Sequence, residues 1–386
     1  MQSAAQKLMP PAPERTPLAD LLAERIRKEG PLSFAQYMEA CLYDPAHGYY
    51  SKSRQEPRRD YVTSVDVGPL FARLLVRQFH DMWNHLGRPG AFQLVECGAG
   101  LGTLAGDILD AIAQSFPELY EATRYVAVER SASRRASHAT SLEGHARNGR
   151  FRSSLELPEE IAVGCVFSNE LFDAMPVHPV ILRKNELREI YVSLNNHGAF
   201  SETEGPPSSP RIAAYLAQQK IALHDGQQAE VCLDACDWIE TVGRRLGRGF
   251  VLTIDYGHEA RELYDEHHMR GTLLAYYHHH ADENYFRAPG EQDLTAHVNF
   301  TALDLWGRRA GLVRTGLTSQ TNFLLALARD SECADLLSPT ENEQESSRAR
   351  LQFKTLIHPE GMGEAFRVFI QHKGIERPHL VGLEPL

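Results

Sequence analysis

The sequence predicts an α/β fold, a doubly wound and mostly parallel sheet preceded by helices. From Phe92 onward, short apolar runs (FQLVE, RYVAVE, IAVGCVFSN and GFVLTIDYG) alternate with stretches of helical spacing such as TLAGDILDAIAQSF. That alternation is the pattern of parallel strands joined by crossover helices. The runs are also nearly free of polar residues until their last positions, as strands covered on both faces must be.

The elements follow in order. Thr16-Pro17 offers an N-cap and a proline for a first turn, LADLLAERIRKE carries the helix, and Gly30 ends it. Ser33 caps a second helix, FAQYMEACLY, which runs into a turn at DPAHGYY. Apolar residues from Pro69 to Leu86 recur at helical spacing and stop at Gly87, so 17–90 is expected to be an N-terminal helical lobe after a flexible tail over 1–16. The sheet-bearing core is expected over 91–375, with a C-terminal tail at 376–386. VHPVILRKNELREIYVSL reads as a hairpin turning near Asn185, outside the doubly wound order. It marks one of two inserted, partly β segments, about 177–232 and 258–300, placed on the substrate side. NHGAFSETEGPPSSP and SPTENEQESS, rich in Pro, Ser, Gly and acid, are expected as surface loops.

Composition narrows the function classes. Net charge is −11 and the Lys and Arg residues are scattered, so no basic stripe is available for a phosphate backbone and nucleic acid is not expected as a partner. No uncharged apolar run reaches the roughly eighteen residues of a membrane-spanning helix, so membrane insertion is not expected either. The first sixteen residues resemble neither a secretory signal nor an Arg-rich transit peptide, and the six Cys contain no C-x-x-C pair, which points to a reducing cytoplasm and no structural zinc. Six His (His258, His267, His268, His278, His279 and His280) lack a ligand spacing with carboxylates or Cys, and no metal site is expected. Cys232 and Cys236, four apart within an expected helix, read as buried apolar-like residues.

Chemistry concentrates at the strand ends. Glu96-Cys97-Gly98-Ala99-Gly100-Leu101-Gly102-Thr103 joins a strand to a helix through three glycines, which allow tight turns and close approach of a ligand, while the helix start offers free N–H groups to an anion. A dinucleotide loop would have glycine where Thr103 stands. The loop instead resembles that of class I S-adenosylmethionine-dependent methyltransferases, in which an acid at the position of Glu96 commonly neutralises the cofactor's amino group. The other reading is a glycine turn that only packs helix on strand. Glu129 ends the next strand where an acid can accept from a ribose diol, or can serve as a helix N-terminal acid beside a capping Ser131. Asn169, Glu170 and Asp173 follow the apolar strand VFS: Asn169 can orient a nitrogen nucleophile, and the two acids can pair with a cation or take its proton. Helix capping suits the same three residues. Asp255, ending VLTID, either faces the same cleft or is a solvated turn acid.

With these residues assembled, the chain resembles the MidA-like family, bacterial and mitochondrial S-adenosylmethionine-dependent methyltransferases whose mitochondrial members assist assembly of respiratory complex I. The resemblance spans nearly the whole chain, through PLSFAQYMEACLYDPAHGYY, DYVTSVDVGPLFARLL, SNELFDAMPV, LTIDYG, RGTLLAYYHHH, PGEQDLTAHVNF, SQTNFLL and HPEGMGEAFRV. It implies a Rossmann-like class I methyltransferase sheet and S-adenosyl-L-methionine as cofactor, with Glu96, Gly98, Gly100, Gly102 and Thr103 on the loop, Glu129 on the ribose, and Thr63 and Gly68 in the same cleft. Asn169, Glu170, Asp173 and Pro176 match the family's N-E-x-x-D-A-x-P segment beside the transferred methyl, with Met175 where the family usually has Leu. Asp255-Tyr256-Gly257, Asp293, Thr295, His297, His358 and Gly363 also match. Ala99, where many members carry Pro, and Tyr277 depart from the family pattern. The resemblance further implies a protein substrate methylated on an arginine nitrogen, a respiratory-complex subunit in the mitochondrial case, and a homodimer. A small-molecule N- or O-methyltransferase and a cofactor-binding assembly factor with little catalysis are the alternative functions.

Overall fold

The computed structural model describes residues 15–51, 64–65, 67–278, 280–329, 343–358 and 362–385. The chain divides into two compact units, one drawn from Met1–Val62, Ala174–Asp234 and Tyr264–His297, the other from Thr63–Asp173, Ala235–Leu263 and Val298–Leu386. The first unit thus collects two stretches close to the expected insertions, and the helices expected as one lobe over 17–90 divide between the units.

In the first unit, helix α1 (Pro17–Glu29) begins as its sequence requires. Thr16 Oγ1 accepts from the Ala19 N–H at 3.1 Å, and Gly30 ends the helix at φ 89°. The i, i+4, i+8 residues Leu18, Leu22 and Ile26 form its buried face. Strand β1 (Leu32–Ser33) leads into α2 (Phe34–Tyr43), whose capping box pairs Ser33 with Gln36 at both hydrogen bonds. An antiparallel sheet joins β1 to β6 (His178–Arg183), β7 (Glu186–Leu194), β8 (Phe200–Gly205) and β9 (Gln228–Val231). The expected hairpin is β6–β7; its two turn residues, Lys184 at φ 50° and Asn185 at φ 67°, give the two left-handed positions of a type I′ turn. β8 corrects the expectation of a loop across NHGAFSETEG, since Phe200–Gly205 pairs along β7 from Leu194↔Phe200 to Glu189↔Gly205. Strands β11 (Leu274–Tyr277), β12 (His280–Asp282) and β13 (Asp293–Thr295) make a further antiparallel sheet, and Leu22, Phe34, Tyr37, Met38, Val192 and Leu294 share the core.

The second unit is the doubly wound sheet. Its strands are β2 (Phe92–Cys97), β3 (Thr123–Val128), β4 (Phe151–Ser154), β5 (Ile161–Asn169), β10 (Leu246–His258), β15 (Val313–Ser319) and β16 (Phe366–Lys373), with β14 (Val298–Asn299) beside β10. The order is β15-β16-β10-β5-β2-β3-β4, and β16 runs antiparallel to both of its neighbours while the β4-to-β10 portion is parallel. The chain builds outward from β2 to β3 and β4, then returns to add β5 and β10 on the other side. The order therefore reverses between β2 and β5, and the crevice outside the carboxyl ends of those strands is where a doubly wound sheet receives its ligand. Helices α3 (Leu70–His85) and α4 (Thr103–Ser115) contribute to a core with Phe79, Phe92, Leu94, Ile108, Phe167, Leu252 and Val368. Of the expected loop SPTENEQESS, the residues from Glu343 on begin a helix, Glu343–Ile357; the earlier ones lie outside the described residues.

Candidate functional site

The loop after β2 takes the backbone path its glycines allow. Gly98, Gly100 and Gly102 have φ of 77°, 55° and 83°, left-handed values that disfavour any residue with a Cβ. Gly98 and Ala99 both donate to the Val128 carbonyl, at 2.9 and 3.2 Å, which carries the loop across the end of β3. Gly102 is the N-cap of α4 and supplies no side-chain cap, so the first-turn N–H groups, Thr103 among them, are left to an anion. Thr103 is exposed.

Two acids stand at the strand ends beside this loop. Glu96 is buried at the end of β2 and accepts from the Tyr125 hydroxyl at 2.7 Å. Burial pushes its pKa up to about 8, and the nearby Glu129 charge adds to the rise against the Tyr125 hydrogen bond. Glu129, also buried, accepts from Gly100 N–H through Oε2 at 2.8 Å and from Ser131 N–H through Oε1 at 2.7 Å. It thus ties the loop to the start of the following helix, Ala132–Ser141. Each carboxylate oxygen keeps a second lone pair for a hydroxyl. The hydroxyl of Ser131, a cap in the helix-start reading, does not cap that helix and meets Ser133 Oγ at 3.0 Å.

Across the switch point, β5 ends in Asn169 and Glu170. Glu170 sits at φ 54°, a conformation that costs a side chain free energy and that surrounding structure must impose. Its N–H donates to the Ile254 carbonyl at 3.0 Å, extending the β5–β10 ladder by one residue. Asn169 Nδ2 donates to Glu170 Oε1 at 2.8 Å, whereas Asn169 Oδ1 is buried with no hydrogen-bond partner among the described residues. Asp173 is buried and accepts a short hydrogen bond from the Tyr256 hydroxyl. Asp255 is fully buried and holds the turn: its Oδ2 accepts from Leu171 N–H at 3.1 Å and Phe172 N–H at 2.9 Å, and its Oδ1 from Tyr256 N–H at 3.0 Å. Burial raises its pKa well above the usual carboxylate range, and the charges of Asp173 and Glu170 raise it further. Three carboxyl groups thus share one turn, those of Asp173 and Asp255 buried and that of Glu170 half-buried. A cation would relieve their repulsion, and the buried Asn169 oxygen wants a donor.

A family model of S-adenosyl-L-methionine-dependent methyltransferases matches residues 74–318, more than half of the chain. The chain belongs to that family, the MidA-like methyltransferases. A COG1565 superfamily member from Burkholderia thailandensis, solved bound to S-adenosyl-homocysteine, is 33% identical with a TM-score of 0.85 over 96% of this chain and 97% of its own. Protein arginine methyltransferase NDUFAF7, mitochondrial, of Homo sapiens is 29% identical over 92% of this chain and 83% of its own length. Its Rattus norvegicus counterpart is 28% identical over 92% and 84%. The protein is therefore an S-adenosyl-L-methionine-dependent methyltransferase. The groups present suit that cofactor: the uncapped first-turn N–H groups of α4 and two acids on adjacent strands, beside a backbone path that glycine leaves open to a ligand.

Other residues matched to the MidA-like pattern are spread over both units. Thr63 lies outside the described residues. Gly68, at φ 128°, packs so closely on the helix Glu343–Ile357 that a Cβ would meet Gln352 Nε2 at 2.3 Å. Asp293, Thr295 and His297 belong to the first unit, where Asp293 accepts from the Tyr50 hydroxyl at 2.8 Å. His358 and Gly363 belong to the second, joined by a Gly363 N–H to His358 carbonyl bond of 3.1 Å. Of the histidines, His258 pairs with Glu262 at 2.9 Å and His267 and His268 with Asp265 at 3.2 Å; His279 lies outside the described residues. Among the described residues no group of three metal-binding side chains assembles, and no helix is long and apolar enough to cross a membrane. Cys232 precedes rather than enters the helix Leu233–Arg245, and Cys236 is buried within it. Sequence reasoning missed Tyr125 and His138 and gave the matched Tyr256 no role; their partners lie 29, 38 and 83 residues away. Local periodicity carries no signal for such pairs.

Proposed function

We propose that this methyltransferase transfers methyl to a guanidinium nitrogen of an arginine in a partner protein, with Glu170 and Asp173 as the clamp. The observation that carries the reading is Glu170, a half-buried acid at φ 54° at a strand's carboxyl end, beside the buried carboxyl groups of Asp173 and Asp255. The name protein arginine methyltransferase borne by the human and rat relatives supports the same substrate class. The cofactor supplies an electrophilic methyl on a sulfonium, whose thioether is a good leaving group. Catalysis by the protein then rests chiefly on alignment. Gly98, Gly100, Gly102 and the first turn of α4, with Thr103, hold the methionine end; Glu96 pairs with its amino group and Glu129 with the ribose. Gly68 borders the same cleft in this reading. A guanidinium stays protonated near neutrality, so its nitrogen becomes a nucleophile only as a carboxylate polarises it and takes the departing proton. Glu170 and Asp173 do this, Asn169 Oδ1 accepts from a substrate N–H and fixes the approach, and Asp255 holds the turn that carries all three.

The test is incubation of the full-length protein with radiolabelled cofactor and lysate from a strain lacking the gene. A labelled protein band that yields methylarginine on hydrolysis is expected; label confined to metabolites would sink the arginine assignment. Glu170→Gln is expected to abolish transfer while cofactor affinity by calorimetry stays within about tenfold of wild type. Unchanged turnover in that variant would remove Glu170 from the clamp.

A further inference from the structure

His138 lies in the helix after β3, carries no role in the reading above, and is completely buried. Its Nε2 lies 2.9 Å from the Gly100 carbonyl and its Nδ1 2.9 Å from Ser153 Oγ on β4. A carbonyl can only accept, so Nε2 carries the proton in that bond, and in the neutral ring Nδ1 accepts from the serine hydroxyl. The ring also fills the space under the end of the loop: a Cβ on Gly102 would come within 2.9 Å of His138 Cδ2 and 3.2 Å of Leu142 Cδ1. Gly100 is thereby held at both polar backbone groups, its N–H by Glu129 at 2.8 Å and its carbonyl by His138. A buried histidine usually completes a helix or strand contact. Here its partner is the middle glycine of a three-glycine loop, the backbone with most conformational freedom to lose when a ligand is bound.

We infer that His138, oriented by Ser153, is a positioning residue that preorganises the cofactor loop and so sets cofactor affinity rather than the rate of transfer. The inference rests on the reading that residues 98–102 hold S-adenosylmethionine. A loop already fixed in its binding conformation loses less entropy on association, and the benefit appears in ground-state binding. Ser153 holds the ring's orientation through its other nitrogen, so its removal loosens the ring without removing the donor to Gly100.

The experiment is calorimetric titration of the full-length protein with S-adenosylhomocysteine, together with steady-state transfer at saturating and limiting cofactor. His138→Leu, which fills the site but cannot donate, is expected to weaken S-adenosylhomocysteine about tenfold and raise the cofactor KM in proportion, with kcat within about twofold. His138→Gln places an amide N–H near the Nε2 position and is expected to restore affinity to within about threefold of wild type. Ser153→Ala is expected to weaken binding about threefold with an unchanged melting temperature, and it decides the matter if His138→Leu fails to fold. Wild-type affinity in a folded His138→Leu, or in Ser153→Ala when the leucine variant does not fold, would overturn the inference. So would a glutamine variant as weak as the leucine one. Failure of the wild-type protein itself to bind S-adenosylhomocysteine would instead sink the loop reading.

Discussion

Glu96 shows how one buried acid couples the site to pH. Folding takes its carboxyl out of water and lifts its pKa from 4.5 to about 8. Between those values the native chain holds more protons than the unfolded chain, so stability falls as pH rises through that window, by up to about 1.4 kcal/mol per pH unit, and levels off above it. Urea unfolding of wild type and Glu96→Gln between pH 5 and 8 checks this: the variant is expected to lose that part of the slope, and parallel profiles would refute it. Glu96 was legible in the sequence because it precedes a glycine loop, and Glu129 because it ends the next strand. What each carboxylate does was not. Both ribose and helix-start readings suited Glu129, and in the folded chain its two oxygens reach Gly100 and Ser131 at once. Asp255 was read as a cleft-facing acid or a solvated turn acid; it is a buried one whose oxygens accept from three backbone N–H groups.

At the scale of elements, termini and turns were the legible parts because their chemistry is local. The Thr16 cap, the Ser33–Gln36 box and the Gly30 stop each depend on residues within four positions. Thr16→Ala is expected to cost about 1 kcal/mol of stability, measured by chemical denaturation, since it removes the Ala19 cap and the 2.8 Å bond to the Pro289 carbonyl. A loss below about 0.3 kcal/mol would deny the cap its role. The loop itself makes a sharper case. Gly98→Val is expected to abolish cofactor binding, because valine is strained at φ 77° and its Cβ would press on Leu171 Cδ1 at 3.1 Å. Normal titration by a folded variant would refute the loop assignment. Strand β8 escaped the sequence reading because FSETEG is polar and acidic, with little of the apolar alternation that marks a strand; pairing with β7 supplies what its own residues do not. The Lys184-Asn185 turn was legible only as a position, since a type I′ turn favours Asn-Gly and this chain places a lysine at φ 50°.

At the scale of the whole molecule, the second unit depends on a core in which α3 packs on the sheet. Phe79 and Phe167, both fully buried, set their rings 5.0 Å apart. Phe79→Ala is expected to destabilise that unit by about 3–5 kcal/mol, read as a lowered denaturation midpoint with the same final unfolded signal. A shift smaller than about 1 kcal/mol would mean that the site collapses without a cavity. The sequence by itself determined the alternation of buried strands and helices, the glycine loop, the acids at the strand ends and, through eight matched segments, the methyltransferase family, because each is written in residues close together in the chain. Tertiary structure alone decided the strand order β15-β16-β10-β5-β2-β3-β4 with its reversed β16, and the division of 17–90 between two units. It also decided the contacts of Tyr125 with Glu96, Tyr256 with Asp173 and His138 with Gly100. The physical reason is range: caps, turns and strand burial follow from a residue's immediate neighbours, whereas the partner of a buried polar group is chosen by which strands the fold brings side by side.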